Sequence, residues 1–323
     1  MKKKLKILIL IRDFGNKYPK HKQKFDLIKH LESVADVYYW HEDGSILNIL
    51  KAIDFVPDFI LHYDISWGYT YAPDITDLDK VSIPKGCFVI DVHWDKTKRL
   101  MYFIRNHVDL IFSITKNPFL NNFPQFKTQF RWVPFSINPS IFKDWKLNKN
   151  IKFLLMGLVN DGTVTYPEKG RYKFREAVLN KLKHVEGFKY NRHPGHFTQS
   201  TNLVNEKFSQ ELNRSEIFFT CGAVVQYPVS KYFEALGSRT LLLAEPNPDI
   251  LELGFKDGEN FVACTTEDFF EKAMYYSANK EKREKIMDNG YDFVHKNHTN
   301  DVRAKQIISY IDELIKKERG HES

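Results

Sequence analysis

The sequence is poor in cysteine and in long apolar runs, and it lacks the glycine pattern of a dinucleotide site. Its three cysteines, Cys87, Cys221 and Cys264, are odd in number and far apart. They carry no metal or redox spacing and fit a reducing, cytoplasmic compartment. No apolar run approaches the ~20 residues that span a bilayer. The opening run Met1-Lys-Lys-Lys-Leu-Lys-Ile-Leu-Ile-Leu-Ile11 is too short for a signal peptide, and Arg12-Asp13 follows it instead of a small-residue cleavage site. It reads as a buried parallel strand. No G-x-G-x-x-G follows that strand, which disfavours a Rossmann dinucleotide site. Internal repeats and low-complexity tracts are also missing.

What is present is a chain of 323 residues with 42% hydrophobic content, enough for two domains with real cores. The net charge of +7 suits an anionic partner: a phosphorylated substrate, acidic lipid or nucleic acid. Part of that charge crowds residues 17–30, where Lys17, Lys20, His21, Lys22, Lys24, Lys29 and His30 surround Phe25, Leu27, Ile28 and Leu31. This is an amphipathic basic helix, able to rest on the anionic inner face of a membrane or simply to cover a sheet. No familiar aromatic–basic motif for nucleic acid accompanies it.

Short, continuous apolar runs recur at 6–11, 34–40, 58–62, 87–92, 110–114 and 130–134, with helical patterns at 21–33, 45–55 and 96–106 between them. Such runs suit strands covered on both faces, and the alternation predicts a parallel sheet with right-handed crossovers. A polar stretch at 138–150 reads as a linker before a new strand at Ile151. Helices at 171–184 and 202–213, a strand at 216–220, and helices at 266–276, 280–289 and 301–317 continue the rhythm. The expectation is two Rossmann-like, doubly wound α/β domains facing a cleft: residues 1–146 and residues 151–300. A C-terminal helix, 301–323, is expected to pack back on the first domain. Ligands of such sheets bind beyond the carboxyl ends of the strands, so the post-strand loops hold the candidates.

In the first half these are Asp13 and Gly15 after the first strand and Asp64 and Trp67 after the third. Both pairs suit an acceptor or a sugar: glycine for close backbone approach, aspartate for hydroxyls and tryptophan for stacking. After the fourth strand stands Asp91-Val92-His93-Trp94-Asp95. If the extended run persists, alternation puts Asp91 and His93 on one side, with His93 as donor or base near neutral pH and Asp91 orienting it. The D-x-H-x-D spacing could also hold a metal, but substrate contact is the preferred reading. Asp77-Leu-Asp79 reads as a surface loop.

In the second half, Gly157 opens a glycine-containing loop that runs to Gly162 and could admit a diphosphate to backbone N–H groups. Arg175 faces either solvent or a phosphate. Arg192 and His193, beside Pro194-Gly195-His196, form a cationic turn. Most informative is Gln226-Tyr227-Pro-Val-Ser230-Lys231-Tyr-Phe-Glu234-Ala-Leu-Gly237, a loop that runs into a helix between two apolar strands. The helix start offers N–H groups to an anion, Lys231 adds a charge, and Glu234 can accept hydrogen bonds from a sugar hydroxyl.

The runs 212–220, 231–237 and 253–262, with His298-Thr299 and Arg303-Ala304, resemble the donor domain of GT-B glycosyltransferases. The resemblance covers roughly residues 151–310. It points to the group-1-like branch that includes spore-maturation and cell-surface polysaccharide enzymes. It implies a nucleoside-diphosphate sugar as donor, a glycan or glycolipid hydroxyl as acceptor, no obligatory metal and no other cofactor. It places Glu234 on the second glutamate of the E-x7-E motif of retaining members, at the nucleotide ribose. Gln226 stands where the first glutamate would be, a departure that bears on the retaining mechanism. Lys231 and Arg192 substitute for the usual diphosphate clamp, and His93 resembles by location the histidine that contacts the donor sugar. Alternatives are a nucleotide-sugar epimerase, which shares this fold, a nucleic-acid-directed protein, either a binder or a DNA-base glucosyltransferase of phage type, and a donor-domain protein that binds nucleotide without turnover.

Overall fold

The computed structural model describes residues 4–159, 172–194, 202–223 and 225–321. By packing, the chain divides into two units. One comprises Met1–Lys17, Lys24–Pro134 and Asp301–Ser323; the other comprises Tyr18–Gln23 and Phe135–Asn300.

The first unit contains strands β1 (Lys6–Leu10), β2 (Asp36–Trp40), β3 (Gly44–Ser45), β4 (Phe59–His62), β5 (Ile75–Thr76), β6 (Lys85–Val89), β7 (Leu110–Ser113) and β8 (Phe130–Trp132). Six of them form one sheet in the order β2-β1-β4-β6-β7-β8, with every pairing parallel. The central strands KILIL, FILH and LIFS are apolar on both faces because helices cover both. The helices are α1 (Phe14–Lys17), α2 (Lys22–Lys29), α3 (Ile46–Ala52), α4 (Lys96–Arg105) and α5 (Asn117–Asn122). The sequence of α4 begins with its own cap: the Asp95 carboxylate accepts from Lys98 N at 3.1 Å. Phe103 and Val108 enter the core formed with Ile111, Phe119 and Phe123, while Ile46, Ile49 and Leu78 pack against Leu8, Leu10 and Ile60.

The second unit carries β9 (Ile151–Gly157), β10 (Phe188–Arg192), β11 (Ser215–Thr220), β12 (Leu241–Ala244) and β13 (Val262–Ala263). They form a parallel sheet in the order β10-β9-β11-β12-β13. Helices α6 (Lys173–Leu182), α7 (Asn205–Asn213), α8 (Ser230–Gly237), α9 (Pro248–Glu252), α10 (Phe269–Ala278) and α11 (Lys280–Asn297) flank it, and α12 (Asn300–His321) follows. Two apolar clusters, one on Leu154, Phe218 and Leu242 and one on Leu155, Phe219 and Leu243, show the period-2 side-chain alternation of strands buried on both faces. Ile137, Ile141 and Phe142 are buried in the first of these clusters. The stretch before residue 146, read from sequence as the end of the first domain, therefore packs with the second unit.

Both sheets reverse their winding beside their first strand. The second strand lies on one side of it and the third on the other, at β1/β4 and at β9/β11. Helices diverge at such a switch point and leave a crevice at the carboxyl ends of the strands. The physical expectation is a site beyond Gly157 and Thr220 in the second unit, and beyond Leu10 and His62 in the first.

Candidate functional site

At the second switch point the chain gathers two cations. β9 ends on Gly157, whose φ of +124° lies in a region that side chains rarely adopt. A Cβ there would lie 3.0 Å from Lys231 Nζ and 3.5 Å from Arg175 Nη1, so the missing side chain leaves both cations against the backbone. Arg175, in the first turn of α6, is only 4% exposed. It donates from Nη1 to Leu158 O at 3.0 Å and from Nη2 to Thr220 Oγ1 at 3.4 Å. Its Nε is buried with no hydrogen-bond partner among the described residues. Its hydrogen-bond partners among the described residues are neutral, its guanidinium lies 4.5 Å from the Tyr172 ring, and the Glu245 carboxylate acts on it through space without an ion pair among them.

Lys231 is the second residue of α8. Burial, with the Arg175 charge beside it, pushes its pKa down to about 8, against the pull of Glu234. Glu234, one turn on, is 8% exposed. Burial pushes its pKa up to about 6, opposed by Lys231, by a hydrogen bond from Ser230 and by Lys20. The first turn of α8 has no side-chain cap, and Val229 stands at its N-cap position. The N-terminal turn of α8 and two cations therefore make this end of the sheet electropositive, with the Glu234 carboxylate beside them.

The neighbouring candidates are placed as follows. Arg192 ends β10 in register with Gly157, but its side chain is exposed. The Lys20 ammonium donates a short hydrogen bond to His193 Nε2. Tyr190 Oη donates to Gly157 O at 3.1 Å. Gln226 adopts a left-handed φ of 51° and returns its amide to Ala223 O at 3.2 Å. Tyr227 is buried and donates from its backbone N to Gly222 O at 2.8 Å. Residues 160–171, 195–201 and 224 lie outside the described residues. The readings of Gly162, Gly195 and His196 fall there.

The sequence left Arg175 undecided between solvent and phosphate; the structure turns it inward. A signal for this exists, because Arg175 shares the buried stripe of α6 with Phe174, Val178 and Leu182. Glu245 carries no such signal. It follows β12, its backbone O accepts from Tyr232 Oη at 2.6 Å, and its carboxyl is hydrogen-bonded to Gln226. Burial raises its pKa. A carboxylate thus stands beside Gln226, contributed by the adjacent strand.

In the first unit the alternation argument for Asp91 and His93 fails. β6 ends at Val89, and the chain then turns, with Trp94 N donating to Asp91 O at 2.9 Å. Arg99, 0% exposed, organises that turn: Nη2 donates to Asp91 O and Nε to Trp94 O, each at 3.1 Å. Its counter-ion is Asp64, also fully buried, with Arg99 Nη1 at 2.8 Å and Nη2 at 3.0 Å. The Asp64 carboxylate further accepts from Ser66 N and Ile90 N. All of its capacity is committed inside the protein, so Asp64 is a holding group and does not present itself to a sugar. Trp67 stacks on Trp94 with centroids 5.2 Å apart and planes 9° apart. His93 is exposed on this turn. Gly15 is likewise corrected: the Phe25 ring lies 2.8 Å from where its Cβ would be, so the space is taken by packing and not by a ligand. Asp13 is exposed and accepts from Asn16 Nδ2 at 2.9 Å. Asp91 lies near Lys24, whose ammonium is lowered by burial but raised overall by Tyr71 and Asp91. Among the described residues no group of three or more histidine, cysteine or carboxylate side chains is placed to hold a metal. No helix among them is long and apolar enough to cross a membrane.

The basic segment 17–30 spends several charges internally. Lys20 binds His193, Lys24 reaches Tyr71 Oη at 3.4 Å, and Lys29 pairs with Glu32 at 2.5 Å.

Residues 140–309 match the family described as "Glycosyl transferase-like". Among solved structures, sucrose-phosphate synthase from Thermosynechococcus elongatus is similar at TM-score 0.62 and 9% identity, covering 97% of this chain and 100% of that one. A glycosyltransferase from Rickettsia africae gives 0.61 at 10% identity, with 97% and 99% covered. HepE from Anabaena, in complex with UDP and glucose, gives 0.60 at 10% identity, with 96% and 100% covered. At these identities the likeness speaks to a shared GT-B fold. No curated protein matches the chain in sequence.

Proposed function

The chain belongs to the glycosyl transferase-like family, and on that premise we propose that it moves a sugar from a nucleoside-diphosphate donor to a hydroxyl of a glycan or glycolipid. The observation that carries the reading is the convergence of Arg175 and Lys231 on Gly157, at the switch point of the second sheet. A diphosphate would bring to this pair two further negative charges beyond the nearby Glu234 and Glu245 carboxylates. As the glycosidic bond breaks, negative charge grows on the departing diphosphate, and fixed cations stabilise that state more than the ground state. They also supply the positive charge for which other glycosyltransferases recruit a divalent ion, which supports a metal-independent reaction. Glu234, ionised, accepts from the ribose hydroxyls.

Gln226 and Glu245 form the polar wall beside this pair, with an amide hydrogen-bonded to a carboxylate. We assign retention of anomeric configuration on the strength of the resemblance to E-x7-E enzymes; product anomers read by NMR decide it. On the acceptor side, the turn held by Arg99 offers Asp91 and His93 to a hydroxyl, and the Trp67–Trp94 stack offers an aromatic face to a sugar ring.

HepE is crystallised with UDP and glucose, so uridine-diphosphate sugars head the panel. The test is a thermal-shift and calorimetric series with UDP-, GDP-, dTDP- and ADP-sugars. A donor at 100 times its Kd stabilises by about 2.7 kcal/mol. Stabilisation by one of them, lost in Lys231→Ala, is the expected result. No shift with any donor removes the reading.

A further inference from the structure

Exposed large apolar side chains are few among the described residues, and two of the most exposed share one helix. Met101 and Ile104 of α4 are 59% and 54% exposed. They stand three residues apart and so lie on one helical face. The opposite face, through Phe103 and the partly buried Leu100 and Tyr102, is anchored in the core of the first unit. The helix sequence, KTKRLMYFIR, holds four basic residues and no acidic one. Arg99 is turned inward to Asp64, whereas Lys96, Lys98 and Arg105 are exposed. Asp95, just before the helix, is engaged as its cap. Trp94, at the same end, is 43% exposed.

Isolated surface hydrophobes need no explanation. A pair in register, rimmed by three cations on a helix without a carboxylate, does. We infer that this face of α4 docks on an anionic lipid surface. Met101 and Ile104 enter the headgroup–acyl boundary, and the stems of Lys96, Lys98 and Arg105 lie along it with their charges at the phosphates. Trp94 suits the same interfacial depth. Charge selects the partner, because an anionic leaflet attracts every cation of this rim at once. The segment 17–30, the more obvious basic helix in the sequence, is the poorer candidate because Lys20, Lys24 and Lys29 are held by His193, Tyr71 and Glu32. The inference is independent of the donor-site reading.

The experiment is flotation of the full chain with phosphatidylcholine vesicles, with and without phosphatidylglycerol, at low and high salt. The expected result is binding only to the anionic vesicles, weakened by salt. Lys98→Gln with Arg105→Gln should weaken it about thirtyfold, from two lost charges. Met101→Ser with Ile104→Ser should weaken it about tenfold or more. All four side chains are at the surface, so both variants should keep the wild-type melting temperature and nucleotide binding. Three results overturn the inference. The first is no binding of the wild type to anionic vesicles. The second is an equal loss on Lys22→Gln with Lys29→Gln, which would place the dock on 17–30. The third is a wild-type dimer by light scattering that Met101→Ser with Ile104→Ser makes monomeric without changing vesicle binding, which would make the face a protein interface.

Discussion

Arg99 and Arg175 occupy equivalent places. Each lies in the first turn of a helix that follows a parallel strand, and each is almost completely buried. Their partners differ. Arg99 has a buried carboxylate, Asp64, and two loop carbonyls; its Nη1 has no hydrogen bond among the described residues but is ion-paired to Asp64. Arg175 has one carbonyl, one hydroxyl, the Tyr172 ring, the Glu245 carboxylate acting through space without an ion pair among the described residues, an unpartnered Nε among them and a second cation, Lys231, as neighbour. A charge completed by the protein fixes a shape. A charge left incomplete costs stability in the free protein and is offset when an anion arrives. Burial alone does not separate a structural arginine from a binding one; the identity of its acceptors does.

The largest expected effect tests the completed side. Asp64→Ala leaves Arg99 buried without its counter-ion and should lower unfolding free energy by about 3–5 kcal/mol in denaturant titrations. Asp64→Leu combined with Arg99→Met should recover most of that loss. A cost below about 1 kcal/mol for the single change would mean that Arg99 is solvated by its carbonyls and that the two arginines are alike. Next comes the incomplete side. Arg175→Ala or Lys231→Ala should slow sugar transfer about 100- to 1000-fold, with stability within about 1 kcal/mol of wild type. Rates within tenfold of wild type would remove the pair from the donor site.

The sequence shows the strands plainly, because stretches such as KILIL and LLLA can satisfy only a sheet covered on both faces. It also shows the loop and helix at 226–237, where Lys231 and Glu234 stand three apart at helical spacing. It does not show which of its charges meet. Asp64 looks like a sugar ligand until Arg99, 35 residues on, meets both of its oxygens, one by a hydrogen bond and one by an ion pair. Asp91 and His93 look as if they share one side of a strand until the strand ends at Val89 and the same arginine holds their turn by the Asp91 and Trp94 carbonyls. Arg175 gains its character from Thr220, 45 residues away, and from Lys231 on another helix. Pairings of this kind are set by sheet order, which local pattern does not encode.

A smaller effect sharpens the cost of incompleteness. Lys231 has a folded pKa of about 8 against an ordinary value of 10.5. Between those values the unfolded chain holds a proton that the folded one has lost, so stability contributed by this group rises with pH from about 8 to 10.5. Below 8 the full penalty applies. Lys231→Met should therefore stabilise the free protein at neutral pH by about 1–3 kcal/mol while abolishing donor binding, and the gain should shrink as pH approaches 10. A variant less stable than wild type at pH 7 would show that Lys231 is already compensated by Glu234.

The same titrations set the pH window for the donor. Lys231 is charged below about 8, and Glu234 is ionised above about 6. Affinity should be greatest between these values and fall outside them, by up to about tenfold per pH unit on the alkaline side. A bound diphosphate favours the ammonium, so binding near pH 9 must take up a proton. Calorimetry in buffers of different ionisation enthalpy reads that uptake directly. Glu234→Gln should remove the acid limb contributed by the carboxylate and leave the alkaline limb in place, whereas Lys231→Arg should move the alkaline limb beyond the accessible range. An alkaline limb that survives Lys231→Arg would assign the titration to another group and break the contrast between the two arginines, since Arg175 would then stand beside an ordinary, unperturbed neighbour.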